Sequence, residues 1–441
     1  MNDDALFPMA EMPSPRATGA ERAVPRVQRP NRQQLELRTT DLEGLLPADH
    51  RARVVWDFVQ GLDLRPLYQR IQAVEGHAGR PAIDPAILMA LWLYATLEGI
   101  GSARALERLC EQHDAYRWIC GGVSVNYHTL AEFRVAHPAV LDELLTTSVA
   151  ALVAEGLADL TRVAQDGVKV RASAGGGSFR RQERLEQLLG AAAAHVAQLR
   201  AEVTADPGGV TRRQAAARAR AAAERQRRVA EALKQVPALA ERRRRAGVKG
   251  PARTSTTDPD ARIMKMADGG YRPAFNAQVM TTTQGQIIVG VAVTTSGTDQ
   301  GQLRPMVEQV QRRYGRAPTD ILADGGYVDL EDLRQVADVG GRVYAPPPRA
   351  DDPVHTSRPR WRVDDAVIGE WRTRMGTVMA QTVYRERAAT SECVNAQARN
   401  RGWRQVLVRG IPRVRAVLLW FALAHNLCRA ERLRTVALRA T

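Results

Sequence analysis

Hydrophobic positions recur at helical spacing through the first third of the chain. The run AILMALWLYATLEGI follows Asp84 and Pro85, a helix cap and a proline suited to a first turn, and it ends near Gly99. A second run, AVLDELLTTSVAALVAEG, follows His137-Pro138 and stops at Gly156. This pattern predicts a helical N-terminal domain over residues 36–158, preceded by a proline-rich, disordered tail over residues 1–35.

Strand-like patterns appear in two separated parts of the chain. LTRVAQDGVKV, residues 160–170, predicts a first strand, and FNAQVMTTTQGQIIVGVAVTT predicts a hairpin around a Gln-Gly turn. A helix, the short buried strand in DILADGGY, a second helix and the strand in GRVYAPPP follow. The alternation predicts an α/β domain made of residues 159–177 and 251–430, with a tail over 431–441. Its last helices are predicted from about Arg387 to Gly402 and from Ile411 to Leu433.

The α/β pattern is interrupted by a helical segment over residues 178–250. Apolar residues recur there at spacings of three and four: Leu185, Leu188, Ala192, Val196, Leu199 and Val203. The sequence TADPGG breaks this helix, and Thr211 can cap a second one that is rich in alanine and arginine. The segment is predicted to form a helical hairpin with a basic exposed face. A solvated spacer is the alternative interpretation.

Charge makes this inserted segment prominent. The 441 residues carry 63 Lys and Arg against 48 Asp and Glu, a net charge of +15. The stretch from Arg180 to Arg253 holds 18 basic and 7 acidic residues, so +11 of the +15 lies there. Clustered positive charge of this size is typical of proteins that bind a polyanion such as nucleic acid.

Cysteines and hydropathy exclude other classes of protein. The four cysteines are scattered and form no CxxC pair, which argues against a disulfide framework and a structural zinc site. The longest apolar run, residues 416–427, is too short to span a bilayer, and the N-terminus does not resemble a signal peptide. We therefore expect a cytoplasmic protein without a membrane partner.

Three acidic residues are candidates for metal chemistry. Asp166 lies within an apolar strand, Asp324 ends another, and Glu392 lies in the helical stretch YRERAATSECVNAQARNRG. A buried carboxylate must be paired, hydrogen-bonded or bound to a cation, and three acids suit hard divalent cations. The glycines that follow both aspartates would leave room for a ligand. In the alternative interpretation, Asp166 and Asp324 cap local turns and Glu392 lies on a solvated face.

Several stretches in order resemble bacterial insertion-sequence transposases of the DDE type, in the group with a tyrosine–arginine–glutamate–lysine signature. They are QDGVKVRA, TDPDARIMK, FNAQV with IIVGVAVT, LADGGY, YRERAATSE…ARNRG and RVRAVLLWFALAHNL. The N-terminal stretches PAILMALWLYATLEGIGSARALERLC and TLAEFR resemble the helical end-binding region of that group. The resemblance runs from about residue 37 to residue 427.

The resemblance implies an RNase H-like mixed-sheet catalytic core, with a helical N-terminal domain and a helical-hairpin insertion after the first core strand. Asp166, Asp324 and Glu392 would be the catalytic acids and would hold two Mg²⁺ ions, for which Mn²⁺ would substitute. Tyr384 and Arg387 match the tyrosine and arginine of the signature. Four residues separate Arg387 from Glu392 where the signature usually has three, and Arg399 stands at the lysine position.

A transposase of this kind would bind double-stranded DNA, both its terminal inverted repeats and its target, as a homodimer in the active complex. It would cleave the ends of its element and join the 3′-OH groups to target DNA by two-metal phosphoryl transfer. Tyr384, Arg387 and Arg399 would contact the DNA at the site. The arginine cluster of the insertion, which we define as Arg242, Arg243, Arg244 and Arg245, would add phosphate contacts.

Two other interpretations remain open at this point. One is an RNase H-like nuclease without strand transfer, and the other is a non-catalytic or domesticated DNA-binding relative of such a transposase. We expect the protein in the bacterial cytoplasm, associated with the nucleoid. If a helix began just after Arg387, Glu392 and Arg399 would lie on one side of it, with Arg399 beside the metal site.

Overall fold

Helices dominate the region before the first strand. The structure is a computed structural model that describes residues 33, 41–73, 81–205, 211–347 and 365–440. Nearly all of the predicted tail over residues 1–35 lies outside the described residues. The helices are α1 (Arg51–Gln60), α2 (Arg65–Tyr68), α3 (Pro85–Leu97), α4 (Ala103–Gln112), α5 (Asp114–Cys120), α6 (Tyr127–Ala136) and α7 (Pro138–Ala154). Two of them, α3 and α7, agree with the caps that the sequence predicts: the Asp84 side chain accepts a 2.8 Å hydrogen bond from the Ala86 N–H, and Gly156 adopts a positive φ just beyond α7.

A mixed six-stranded sheet follows these helices. Its strands are β1 (Arg162–Arg171), β4 (Arg262–Lys265), β5 (Tyr271–Thr282), β6 (Ile288–Thr294), β7 (Asp320–Leu322) and β8 (Arg342–Tyr344), and a separate two-stranded sheet contains β2 (Phe179–Arg180) and β3 (Thr254–Ser255). The order along the main sheet is β4-β5-β1-β7-β8, and β6 also pairs with β5. β5 runs antiparallel to β1 and to β6, whereas β1, β7 and β8 run parallel.

Helices cover this sheet in the order that the sequence predicts. α10 (Leu303–Tyr314) and α11 (Leu330–Asp338) connect β6 to β7 and β7 to β8. Strand order β6-β5-β1-β7-β8, with an antiparallel first half and a parallel second half, is that of an RNase H-like core. The predicted fold class, this core with a helical N-terminal region, is confirmed.

The insertion forms the predicted helical hairpin between β2 and β3. α8 (Gln182–Ala205) and α9 (Arg212–Arg245) pack against each other, and the Thr211 side chain caps α9 by accepting from the Gln214 N–H. The hairpin has a small hydrophobic cluster of its own, formed by Leu185, Val229, Ala232, Val236 and Ala252. Of the predicted stripe, Leu185 and Ala192 are buried, while Val203 is 45% exposed.

The helices after β8 differ from their predicted bounds. They are α12 (Ala366–Met375), α13 (Val378–Asn400) and α14 (Ile411–Ala440). The expectation that a helix begins near Arg387 is wrong. Gly376 ends α12, and the Thr377 side chain accepts from the Ala380 N–H at 3.2 Å, so α13 begins nine residues earlier. α14 also continues beyond the predicted end at Leu433.

α14 joins the helical region to the sheet. It packs on α3, α6 and α7 of the helical region and on β6 of the sheet. The indole N–H of Trp420 donates to the Arg134 carbonyl at 2.9 Å, and the Asn426 amide bonds both the N–H and the carbonyl of Ile288 at 2.8 Å. Both regions therefore share one hydrophobic core.

An ion-pair cluster fastens the parallel strands at the ends where they begin. Asp320 on β7 is buried and accepts from two arginines, Arg162 on β1 and Arg342 on β8, at distances from 2.7 to 3.2 Å. Each guanidinium donates two hydrogen bonds, so the charge of the carboxylate is well compensated. This ion-pair cluster lies at the first residues of β1 and β7, four residues before each candidate acid.

Candidate active site

The parallel register places two of the candidate acids at equivalent positions. β1 and β7 pair as Arg162 with Asp320, Val163 with Ile321, and Ala164 with Leu322. The pairing between these two strands ends at Ala164 and Leu322. Asp166 lies two residues after the first of these and Asp324 two residues after the second. Neighbouring strands lie about 4.8 Å apart. The structure therefore brings Asp166 and Asp324 to the same region of the sheet.

The Asp166 carboxyl lies in an environment that opposes its ionisation. Burial raises its pKa to about 6. The Gly167 N–H, which donates to Oδ1 at 2.9 Å, and the positive charge of Arg387 both lower this pKa. The negative charges of Asp324 and Asp299 raise it. A bound cation would relieve this electrostatic cost.

Helix α13 supplies a second hydrogen bond to the same carboxyl. The Asn395 side-chain amide donates to Asp166 Oδ2 at 2.7 Å. With the Gly167 N–H on Oδ1, each oxygen of Asp166 accepts one hydrogen bond. The side chain is therefore held in one orientation, fixed from its own strand and from the helix.

Asp324 lies two residues after the end of β7 and caps a short turn. Its Oδ1 accepts from the Gly326 N–H at 2.8 Å, and the turn covers Gly325–Tyr327. Asp166 makes a similar local bond to Gly167, so the capping contacts of the alternative interpretation do exist. Each of these contacts uses only one of the two carboxylate oxygens.

The structure does not bring the third candidate acid into the same cluster. Glu392 lies in α13 with an exposed side chain, three residues before Asn395 and so about 60° away around the helix axis. Among the described residues, no three Asp, Glu, His or Cys side chains are close enough to hold one metal ion. Glu386, another acid of this helix, accepts from Arg162 at 2.9 Å instead, and Glu370 is exposed on α12.

All four signature residues lie within α13, where they form two pairs on different sides of the helix. Tyr384 and Arg387 lie inside α13, not on an entry turn, and the Arg387 guanidinium lies 5.8 Å from the centre of the Tyr384 ring. Because four residues stand between Arg387 and Glu392, the two lie about 140° apart around the helix. Glu392 and Arg399 share one side of α13, and both are exposed.

A buried hydrogen-bonded network behind the acids was not expected from the sequence. This amide network consists of Gln165, Asn276, Gln278, Asp299 and Tyr327. Its signal in the sequence was the pair of polar residues at alternate positions of the apolar stretch FNAQV. The network also fills the space beside Gly167, because a Cβ there would overlap Asp299 Oδ1. The expected room for a ligand at this glycine is therefore occupied by the protein.

The arginine cluster ends α9 in an exposed position. Arg244 and Arg245 pair with Glu241 at 2.9 and 2.8 Å, and Arg243 donates to the Lys249 carbonyl at 2.8 Å. Arg242 is exposed. Exposed ion pairs of this kind are weak, so a phosphate can compete for the guanidinium groups.

Sheet order and helical cover define the class of this protein as RNase H-like. Comparison with protein families then gives two matches: a transposase domain of the DUF772 family over residues 40–136, and a transposase DDE domain over residues 251–427. Together they cover more than half of the chain, which therefore belongs to the insertion-sequence transposases of the DDE type. The second match contains Asp324 and Glu392, whereas Asp166 precedes it. Neither a curated protein nor a solved structure shows significant similarity to the chain.

Membership of this family has general consequences. A DDE domain indicates an enzyme of DNA transposition with nuclease chemistry, and such enzymes bind DNA and typically use a divalent metal ion. Within the part of the chain that the structure describes, no helix is long and apolar enough to cross a membrane.

Proposed function

We propose that the protein cleaves DNA at the ends of its insertion sequence and joins the freed 3′-OH groups to target DNA. The observation that carries this proposal is that Asp166 and Asp324 each lie two residues beyond the last paired position of two neighbouring parallel strands. The raised pKa of Asp166 adds support, because it indicates an acidic site that a cation would stabilise.

The donor set suits Mg²⁺, with Mn²⁺ as a substitute, because it consists of carboxylate oxygens. Asp166, Asp324 and Glu392 would hold two such ions, with Glu392 reaching the site from the neighbouring face of α13. The ions would supply the Lewis acidity that activates a water or a DNA 3′-OH and stabilises the leaving oxygen. Asn395 keeps Asp166 oriented for this binding.

The arginines have roles in holding DNA. Arg387, whose charge reaches Asp166, would balance the acidic site and contact the cleaved strand beside Tyr384. Arg399 would bind a DNA phosphate on the exposed side of α13 that it shares with Glu392. The arginine cluster would add affinity for any DNA sequence. We further propose that the helical N-terminal region binds the inverted repeats, and that the active complex with two ends is a homodimer.

Variants of the acids test this proposal. Asp166→Asn, Asp324→Asn and Glu392→Gln should each abolish Mg²⁺-dependent cleavage and joining of a strand-end substrate. DNA binding should persist, because phosphate contacts come from arginines elsewhere. Glu370→Gln, at another exposed glutamate of a neighbouring helix, is the matched control and should cleave normally.

Two outcomes would contradict parts of the proposal. Cleavage by Glu392→Gln at the wild-type rate would remove this residue from the site and make Glu386 the next residue to test. A wild-type protein that binds inverted repeats without cutting them would favour the alternative, a non-catalytic or domesticated relative. The exposure of Glu392 outside a three-acid cluster is the observation that keeps this alternative under test.

A further inference from the structure

Backbone hydrogen bonds do not fix the separation of the two aspartates. The ladder between β1 and β7 ends at Ala164 and Leu322, two residues before each acid. Beyond that point, β1 continues with its antiparallel partner β5 and forms a bridge with Gln405 at Arg171, its last residue. Some other contact must tie the Asp324 turn to the strand that carries Asp166.

Tyr327 provides such a contact. It closes the turn that Asp324 caps, since its N–H donates to the Asp324 carbonyl at 3.2 Å. Its hydroxyl donates to Gln278 Oε1 at 2.6 Å, and both side chains are fully buried. Gln278 lies directly opposite Gly167 in the register of β1 and β5. The path from Asp324 to Asp166 is thus closed through one side-chain hydrogen bond.

The orientation of the Gln278 amide is determined by its neighbours. Its Nε2 donates to Asp299 Oδ1 at 2.7 Å and to Asn276 Oδ1 at 3.2 Å. A carboxylate can only accept, so Nε2 must face Asp299 and Oε1 must face Tyr327. Gln165 adds a second donor to the same Oε1 at 3.1 Å.

A phenol has an ordinary pKa of about 10, so the hydroxyl of Tyr327 carries its proton at neutral pH and can donate. Burial raises its pKa above the usual value, and the charges of Asp299, Asp166 and Asp324 raise it further. The hydroxyl therefore keeps its proton and its hydrogen bond to Gln278. A buried, fully oriented bond of this kind transmits position well.

We propose that Tyr327, acting through Gln278, is a positioning residue that sets the separation of Asp324 from Asp166. This inference rests on the proposed function, because it concerns the same metal site. Tyr327 does not itself touch metal or DNA; its hydroxyl fixes the turn from which Asp324 projects.

A partly buried tyrosine, whose hydroxyl also donates to the protein, offers a control. Tyr314 in α10 donates its hydroxyl to the Val289 carbonyl at 3.0 Å, a contact that does not involve the acids. Tyr327→Phe and Tyr314→Phe each delete one hydroxyl that donates a hydrogen bond to another segment of the protein. The unfolding temperature of each variant is measured alongside, so that a loss of metal binding can be separated from a loss of stability.

The test is Mn²⁺ binding to the purified full-length protein by calorimetry, together with the Mg²⁺ dependence of cleavage. Loss of a residue that orients a metal ligand typically weakens metal binding by tenfold or more, so Tyr327→Phe should bind Mn²⁺ roughly tenfold more weakly. The Mg²⁺ concentration for half-maximal cleavage should rise by a similar factor, with much of the rate recovered at saturating Mg²⁺. Tyr314→Phe should match the wild type in both measurements.

Mn²⁺ binding by Tyr327→Phe that is as tight as that of Tyr314→Phe would overturn the positioning role and leave Tyr327 as a packing residue. Asp324→Asn separates this result from failure of the proposed function. If Asp324→Asn also binds Mn²⁺ like the wild type, the metal site itself is wrong and both proposals fall. If Asp324→Asn no longer binds Mn²⁺ and Tyr327→Phe still does, only the positioning role is refuted.

Discussion

Replacing Gly167 by alanine should disrupt the core of the catalytic sheet although it adds a single methyl group. The new Cβ would overlap Asp299 Oδ1 and would approach Gln278 Nε2 to 2.7 Å. The strand backbone is paired on β5 at this position and cannot retreat. The Asp299 carboxylate must therefore move away.

The cost follows from the bonds that this movement breaks. Asp299 Oδ1 accepts from Asn276 Nδ2 and Gln278 Nε2, both at 2.7 Å. A hydrogen bond to a charged group contributes about 1.5–3 kcal/mol, so breaking both would cost about 3–6 kcal/mol. Total stabilities of folded domains are about 5–15 kcal/mol, so the protein would be severely destabilised.

Urea unfolding of the wild type and Gly167→Ala measures this destabilisation directly. Gly175→Ala is the control, because a Cβ at Gly175 meets nothing within 4 Å and should change stability little. In an Asp299→Ala background the same glycine substitution should cost much less, since the overlapping atom is gone. A destabilisation below about 1 kcal/mol in the wild-type background would refute the close packing of Asp299 on this strand.

Other expected outcomes concern charge. Replacement of the four arginines of the arginine cluster by glutamine should weaken the salt dependence of non-specific DNA binding. The slope of log K against log salt concentration should fall by about 0.9 for each phosphate that is no longer neutralised. An unchanged slope would indicate that the insertion is a spacer. Asp320→Ala should destabilise the protein by about 1–3 kcal/mol in urea unfolding, because it removes the buried acceptor of four hydrogen bonds while Arg162 and Arg342 remain partly exposed to water; a change below about 0.5 kcal/mol would contradict this. Burial lowers the pKa of His425 to about 4, so the folded protein keeps this imidazole neutral at a pH where the unfolded chain protonates it. The free energy of unfolding should therefore be unaffected by this group above about pH 6.5 and should fall as the pH drops towards 4, by up to about 1.4 kcal/mol per pH unit. His425→Gln should remove this part of the pH dependence of unfolding, and an unchanged profile would show that the imidazole titrates normally.

The main strands could be predicted because their sequence signals are local. The Gln-Gly turn between two β-branched runs, and the glycines after Asp324, are readable from a few residues each. The closeness of Asp166 and Asp324 was foreseeable from their positions within and at the end of apolar strands and from the family resemblance. The insertion was predictable because TADPGG and Thr211 separate two helical patterns.

The structural features that could not be predicted from the sequence depend on contacts between distant segments. The amide network needs the register that sets Gln278 opposite Gly167, and no local pattern contains that register. The ion-pair cluster around Asp320 forms only when β1, β7 and β8 lie side by side. The start of α13 was missed for a different reason: Gly376 and Thr377 are a valid stop and cap, but the family signature favoured a helix that begins near Arg387.

The packing of α14 has a consequence for how the chain folds during synthesis. The ribosome completes α3, α6 and α7 some 250 residues or more before α14 emerges, yet these helices bury apolar side chains against it. Until then the nascent N-terminal helices expose the surface that Trp420 and its neighbours will cover. Segments this distant in sequence come together slowly and leave the intermediate prone to aggregation. Premature termination before Ile411 would thus release a chain that retains both its helical region and its sheet but lacks the helix on which both pack.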